Sequence, residues 1–270
     1  MLVVKKIYEN YNQLFNENLD FRVKDLPFAG SPIPVLTILT LYLLFVSGRG
    51  QKWMKNRKPF KLTKFMNVYN IFQVLANAVV FCFVLVNFSE QDNFRFFCVP
   101  EPKNDFTKQG ALVVKVSYFF YLLKIADLLD TIFFVLRKKN NQVTFLHIYH
   151  HAGVFLMAYI YMKMYSGGGT ASLFGFLNSF IHTVMYSYYF LTSYSADIKK
   201  LIWWKKYITQ LQLLQFVSLF LYNIVSLFVV ECNNSKFFAW LGIIQAVVMM
   251  SMFGDFYYKA YIMKKPSKEL

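Results

Sequence analysis

Gln142-Val-Thr-Phe-Leu-His-Ile-Tyr-His-His-Ala-Gly153 decides how the rest of this chain is read. The protein has four histidines in 270 residues, and three of them, His147, His150 and His151, fall here at i, i+3 and i+4, which puts their imidazoles on one helical face. The run from Val143 to Tyr165 around them is long and apolar enough to cross a bilayer. Ionisable groups at that depth are costly, so a cluster of them reads as a functional site.

Composition extends the reading to the whole chain. Hydrophobic residues make up 57% and aromatic residues 20%, and the mean hydropathy is positive, which excludes an ordinary soluble domain. The fold predicted is an all-α polytopic membrane protein, a single membrane domain over residues 1–270. Its seven expected transmembrane helices are Leu26–Val46, Met66–Val86, Leu112–Leu136, Val143–Tyr165, Ala171–Tyr194, Tyr207–Val230 and Phe237–Ile262. Pro27, Pro32 and Pro34 stand at the start of the first, where proline costs a helix least. Residues 1–25 read as a polar N-terminal segment with a short surface helix and no apolar core of a signal peptide, and 263–270 as a tail.

The net charge of +15 raises nucleic acid as a partner, but the lysines and arginines lie in short clusters between apolar runs, the pattern of topology signals. One alternating set of loops carries eighteen basic residues, including the run Arg49 to Lys64, the cluster Arg137-Lys138-Lys139, and the C-terminal tail. The other set carries nine, balanced by nine carboxylates. The positive-inside rule therefore predicts a C-terminus in the cytosol and an N-terminus on the far side. The sequons at Asn87 and Asn233 fall on that far side, as do Cys98 and Cys232, where an oxidising lumen permits a disulfide. Cys82, inside a span, reads as a small buried apolar residue.

Further polar residues sit inside the spans. Lys124, Asp127 and Thr131 share one face of the third, with Asp130 beside it; they read either as a structural ion pair or as groups that orient imidazoles or receive an anion. In the fifth span His182, Met185, Tyr186 and Tyr189 form a stripe, with Asn178 one turn earlier. A lone histidine on such a face is commonly a hydrogen-bonded core residue, but here every histidine of the chain belongs to an intramembrane cluster. Thr209, Gln212 and Gln215 recur every third residue in the sixth span, a spacing that also serves to bind neighbouring helices.

Three chemistries compete for these residues. His-x-x-His-His is a box of membrane di-iron desaturases and hydroxylases, yet those enzymes use about eight histidines and this chain has four. A transporter with a His/Asp pathway would place its polar groups near the midplane, whereas these gather toward one leaflet. The third is acyl transfer: a neutral imidazole attacks a thioester, a second histidine moves a proton, and a dry site protects the acyl-imidazole from hydrolysis. Arg137, Lys138 and Lys139 stand about one turn before the cluster and would dock a polyanionic carrier such as coenzyme A.

Taken together, Lys124-Ile-Ala-Asp127-Leu-Leu-Asp130-Thr131, His147-Ile-Tyr-His150-His151, His182-Thr-Val-Met185-Tyr186-Ser-Tyr188-Tyr189 and Thr209-Gln-Leu-Gln212-Leu-Leu-Gln215 resemble the fatty acid elongase (ELO) family, in family order and over roughly Gly50 to Tyr261. The resemblance implies seven helices, six of them surrounding an acyl tunnel, in the endoplasmic reticulum membrane. It implies condensation of a long-chain acyl-CoA with malonyl-CoA to 3-oxoacyl-CoA, CO2 and CoA, without metal or redox cofactor. By it His150 would accept the acyl group and His182, across the tunnel, would assist decarboxylation or proton transfer. His147, His151, Asp127, Asp130, Asn178 and Tyr186 would orient these groups or line the site, and Gln212 and Gln215 would hold substrate or a neighbouring helix. It further implies a homodimer and association with the 3-ketoacyl-CoA reductase, 3-hydroxyacyl-CoA dehydratase and enoyl-CoA reductase of the cycle.

The chain departs from the family pattern at four places. Asp127 stands where glutamate is usual, one methylene shorter. Gln51 follows Gly50 where proline is common, Gly169 replaces a frequent histidine, and Asp255 replaces an asparagine in the last span. The tail has Lys268 but not the second lysine of a dilysine retrieval signal, so the compartment rests on the resemblance.

Overall fold

A computed structural model of the chain describes residues 5–6, 8, 20–89, 105–165, 169–194, 198, 202–229 and 236–263. Among them all regular structure is helical. The long elements are α1 Pro32–Leu44, which continues through a wide turn Phe45–Arg49 into the short α2 Gly50–Met54, then α3 Thr63–Ser89, α4 Lys108–Leu136, α5 Phe145–Tyr165, α6 Gly169–Tyr194, α7 Ile202–Phe228 and α8 Lys236–Tyr257. Each expected span thus has its helix, with ends displaced by a few residues.

Four of these stretches, Pro32–Met54, Thr63–Ser89, Trp203–Phe228 and Lys236–Ile262, are long and apolar enough to cross a membrane. The protein is a multi-pass helical membrane protein. The remaining long helices, α4, α5 and α6, carry Lys124, Asp127, Asp130, Asn178 and all four histidines, and these residues lower their hydropathy.

The largest departure from expectation is at the first span. Helix begins at Pro32, not Leu26: Ser31 is held extended before proline and caps the helix, its hydroxyl accepting from Ile33 N–H at 3.3 Å. Residues 24–30 instead form turns, with Phe28 at φ 61°. At the other end the helix runs past Val46, because Gly48 takes φ 124°, a conformation open to glycine, and lets the chain kink and resume as α2. Part of the expected basic loop is therefore helical.

The chain folds as two compact units, Met1–Phe60 with Pro100–Ala171 and Lys61–Val99 with Ser172–Leu270. In the first, α4 and α5 pack against α1 around Val35, Tyr42, Val46, Val114, Tyr121, Leu128, Phe155 and Tyr159. Asp20 and Val23 are buried in the same unit, while Phe21, Lys24 and Asp25 between and after them are exposed. Three helix side chains tie the turn that follows: Tyr118 and Tyr121 hydroxyls donate to Pro27 O at 3.0 Å and Phe28 O at 2.9 Å, and Lys163 Nζ donates to Gly30 O at 2.6 Å. Arg22 pairs with Asp20 and donates to Asp105 O and Gly110 O, which fixes the segment to the start of α4. There Thr107 caps the helix and, through its N–H and then its hydroxyl, holds the Asp105 carboxyl below the usual carboxylate range.

In the second unit α7 and α8 form the closest pair. A Cβ on Gly242 would sit 2.8 Å from the Asn223 amide, so glycine lets the two helices approach. Phe216 and Phe253 meet at 5.0 Å, and Gln210 Nε2 donates to Tyr257 hydroxyl at 2.8 Å. Phe81 of α3 stacks on Phe176 of α6 at 4.9 Å. Cys82, beside it, is exposed on α3 and is not the buried apolar residue expected: the neighbouring phenylalanines fill the inward face.

Candidate functional site

The histidines of α5 come at its beginning. Thr144 precedes the helix and its hydroxyl accepts from His147 N–H at 3.2 Å, so the first imidazole sits in the first turn. His147 and His151, one turn apart, have ring centroids 4.2 Å from each other, and His150 meets His151 edge-on at 5.5 Å. Phe134 of α4 lies 5.2 Å from the His147 ring. His151 is buried, and His147 and His150 are half-buried. His147 Nε2 is enclosed with no hydrogen-bond partner among the described residues.

On α4, Lys124 Nζ bonds Asp127 Oδ2 at 2.7 Å, with both residues almost wholly enclosed, at 1% and 3% exposure. Aspartate in place of glutamate therefore still reaches the lysine. Lys124 also lies 4.7 Å over the Phe120 ring. Both members of the pair are near enough to His150 to act on it electrostatically. Thr131, on the same face, is buried and shares a hydrogen bond of 2.8 Å with Tyr42 of α1; Asp130, half-buried, acts on both Tyr42 and Lys124. The first unit thus brings together His147, His150, His151, Lys124, Asp127, Asp130 and Thr131.

The basic rim belongs to the same unit. Arg137 ends α4, and Lys138 turns the chain at φ 56°, closing the helix through Lys138 N–H to Val135 O and Lys139 N–H to Phe134 O. Lys138 Nζ reaches back to Lys55 O at 3.0 Å. Beside it opens a cavity of about 310 Å³ lined by Gln51, Lys52, Met54, Lys55, Lys138 and Asn140. Lys139 projects outward. Gln51 is turned inward, donating to Val46 O at 3.3 Å.

The second unit gathers the other motif residues. On α6, Asn178, His182, Met185 and Tyr186 are buried, and the His182 and Tyr186 rings meet edge-on at 5.5 Å. Tyr189, in edge contact with Tyr186, is 41% exposed, so the stripe runs outward at that end. From α7, Gln212 Nε2 points to Met185 Sδ at 4.0 Å, Gln215 is buried, and Thr209 bonds its own helix at Lys205 O. Gly169 begins α6 at φ 52°, and Asp255 forms an exposed pair with Lys259 at 2.8 Å.

Some site residues are absent from the sequence reading. Tyr69, Gln73 and Asn77 form a buried row on α3: Tyr69 hydroxyl lies 3.3 Å from Tyr186 hydroxyl, Gln73 Nε2 donates to Tyr69 at 3.0 Å, and Asn77 Nδ2 donates to Gln73 Oε1 at 3.0 Å. Their spacing of four residues inside an apolar run is a signal that could have found them. Tyr42 carries none, being one aromatic among many.

Among the described residues no group of three or more His, Cys, Asp or Glu side chains converges as a metal ion needs. Asn87 lies half-buried in the last turn of α3, and Cys98, Cys232 and Asn233 lie outside the described residues.

Comparison with known proteins agrees with these motifs. Residues 27–269 match the profile of the family described as ELO: GNS1/SUR4 family. Very long chain fatty acid elongase 4 of Mus musculus is 40% identical over 254 residues, covering 92% of this chain and 78% of the relative. The Homo sapiens protein of the same name is 40% identical over 250 residues, covering 92% and 77%. Very long chain fatty acid elongase 7 of Drosophila melanogaster is 34% identical over 263 residues, covering 97% and 78%. A match over nearly the whole length, with every histidine inside it, means that the chain belongs to the ELO: GNS1/SUR4 family.

Proposed function

We propose that this protein is the condensing enzyme of fatty acid elongation, a 3-oxoacyl-CoA synthase that joins a long-chain acyl-CoA to malonyl-CoA. Family membership and relatives that are very long chain fatty acid elongases support the elongation reading. The observation that carries the chemistry is the row of imidazoles at the start of α5, beside the enclosed Lys124–Asp127 pair.

In this reading an imidazole nitrogen of His150 attacks the thioester carbonyl. The N–C bond forms, the C–S bond breaks, and CoA leaves as a thiolate that takes up the proton the ring releases. Malonyl-CoA then loses CO2, and the enolate attacks the acyl-imidazole carbonyl. The N–C bond breaks to give 3-oxoacyl-CoA, and the imidazole recovers a proton, with His182 assisting the decarboxylation or the proton transfer. His147 and His151 orient the acceptor ring, and the water-poor surroundings keep hydrolysis slow. Lys138 and its basic neighbours hold the CoA phosphates. Loss of CO2 drives the reaction, so no metal or redox cofactor is required. The product needs a reduction, a dehydration and a second reduction, which makes the enzymes of those steps its partners. All seven helices cross the endoplasmic reticulum membrane, with the N-terminus lumenal.

The test is to mix purified protein with acyl-CoA alone and follow free CoA. One equivalent should appear in a burst, and His150→Ala should abolish both the burst and malonyl-CoA condensation, a loss on the order of a thousandfold or more. Release of CoA only after malonyl-CoA is added would replace the acyl-histidine with a ternary mechanism.

A further inference from the structure

The buried row on α3 has a direction as far as Tyr69. Asn77 Nδ2 donates to the backbone carbonyl of Gln73 at 2.8 Å, and a carbonyl oxygen only accepts. That contact fixes which end of the Asn77 amide is nitrogen, so the same NH2 group donates to Gln73 Oε1 at 3.0 Å. Gln73 Oε1 being the acceptor, its Nε2 is the atom aimed at Tyr69, and it donates there at 3.0 Å. Tyr69 oxygen then already accepts, and it lies 3.3 Å from Tyr186 oxygen, a contact in which either hydroxyl can donate. Where Tyr69 is the donor, Tyr186 accepts and its own proton is turned to a further group. Its ring lies edge-on to His182 at 5.5 Å, and the residue is fully buried.

We propose that Asn77, Gln73 and Tyr69 are positioning residues that set Tyr186 as a hydrogen-bond donor into the site beside His182. Resting on the condensing-enzyme reading, the role deepens it: the Tyr186 O–H is held toward the oxygen that becomes negative when the malonyl-derived enolate forms and attacks. The proton stays on tyrosine, and no bond is made or broken in the row. Successive donation polarises each hydroxyl in turn, so the last donor is stronger than an isolated phenol. Preorganised donors of this kind matter because charge develops where water is excluded.

Two measurements on the full-length protein test this. Tyr69→Phe keeps the ring and removes only the hydroxyl. It should lower kcat for malonyl-CoA condensation on the order of tenfold, less than the 10²–10³ of losing a direct donor, with KM for both CoA substrates within about twofold. In a Tyr186→Phe background the same change should cost less than about twofold. Full additivity of the two changes, or a Tyr69→Phe kcat within about twofold of wild type, overturns the proposal. The second measurement needs no turnover. A 3-fluorotyrosine placed at position 186 alone should shift its ¹⁹F resonance in Tyr69→Phe and again in Gln73→Leu, and an unmoved resonance in either overturns the relay. A shifted resonance in a protein that does not condense malonyl-CoA upholds the relay and sinks the function proposed above.

Discussion

The enclosed Lys124–Asp127 pair beside the α5 histidines is charged and local in sequence; the Tyr69–Tyr186 contact in the unit holding His182 is neutral and joins distant helices. Lys124 and Asp127 are three residues apart, and His147, His150 and His151 lie within five positions. Tyr69 and Tyr186 are 117 residues apart and meet only because α3 and α6 pack together. The contrast teaches that the two contacts depend on different forces. A buried charge must have its counter-charge at hand or it is uncompensated at a cost of several kcal/mol, whereas a neutral hydrogen bond leaves less at stake but demands exact helix placement.

The sharpest way to break this contrast is at Asp127. Asp127→Leu strands the Lys124 ammonium in an enclosed position and should destabilise the protein by about 3–5 kcal/mol, lowering Tm in detergent by roughly 10 °C. The double change Lys124→Met with Asp127→Leu should recover most of that loss. A Tm unchanged in the single variant would mean that the charges are not what each other needs.

A smaller effect is expected at Tyr42 and Thr131, a neutral pair 89 residues apart inside the unit that holds the charged pair. Tyr42→Phe leaves the buried Thr131 hydroxyl without this partner and should cost about 1–2 kcal/mol, read as a Tm lower by a few degrees. A loss as large as that of Asp127→Leu would erase the distinction between charged and neutral pairs. The smallest effect belongs to Asp255. Its pair with Lys259 is more than half exposed, and Asp255→Asn should change stability by less than about 0.5 kcal/mol by the same thermal measurement.

The same contrast explains what was legible in the sequence. All seven long helices lie where the apolar runs place them, because helical length and hydropathy are local. The imidazole face and the Lys124–Asp127 pair follow from i, i+3 and i+4 spacing alone. Tyr42, Tyr69 and Lys163 stayed hidden because their partners, Thr131, Tyr186 and Gly30, are fixed by packing between distant segments. The first helix began late because the capping Ser31 and two prolines outweighed the apolar character of residues 26–30. Cys82 was misplaced because an apolar run does not say which of its sides faces neighbours.

The turn before α1 carries a consequence for the chain's own beginning. Its carbonyls at Pro27, Phe28 and Gly30 receive two phenols and an ammonium from α4 and α5, so it works like a stopper gripped from beneath. Shortening the protein to its first hydrophobic helix would take these acceptors from all three donors, which makes residues 27–30 an internal part of the fold.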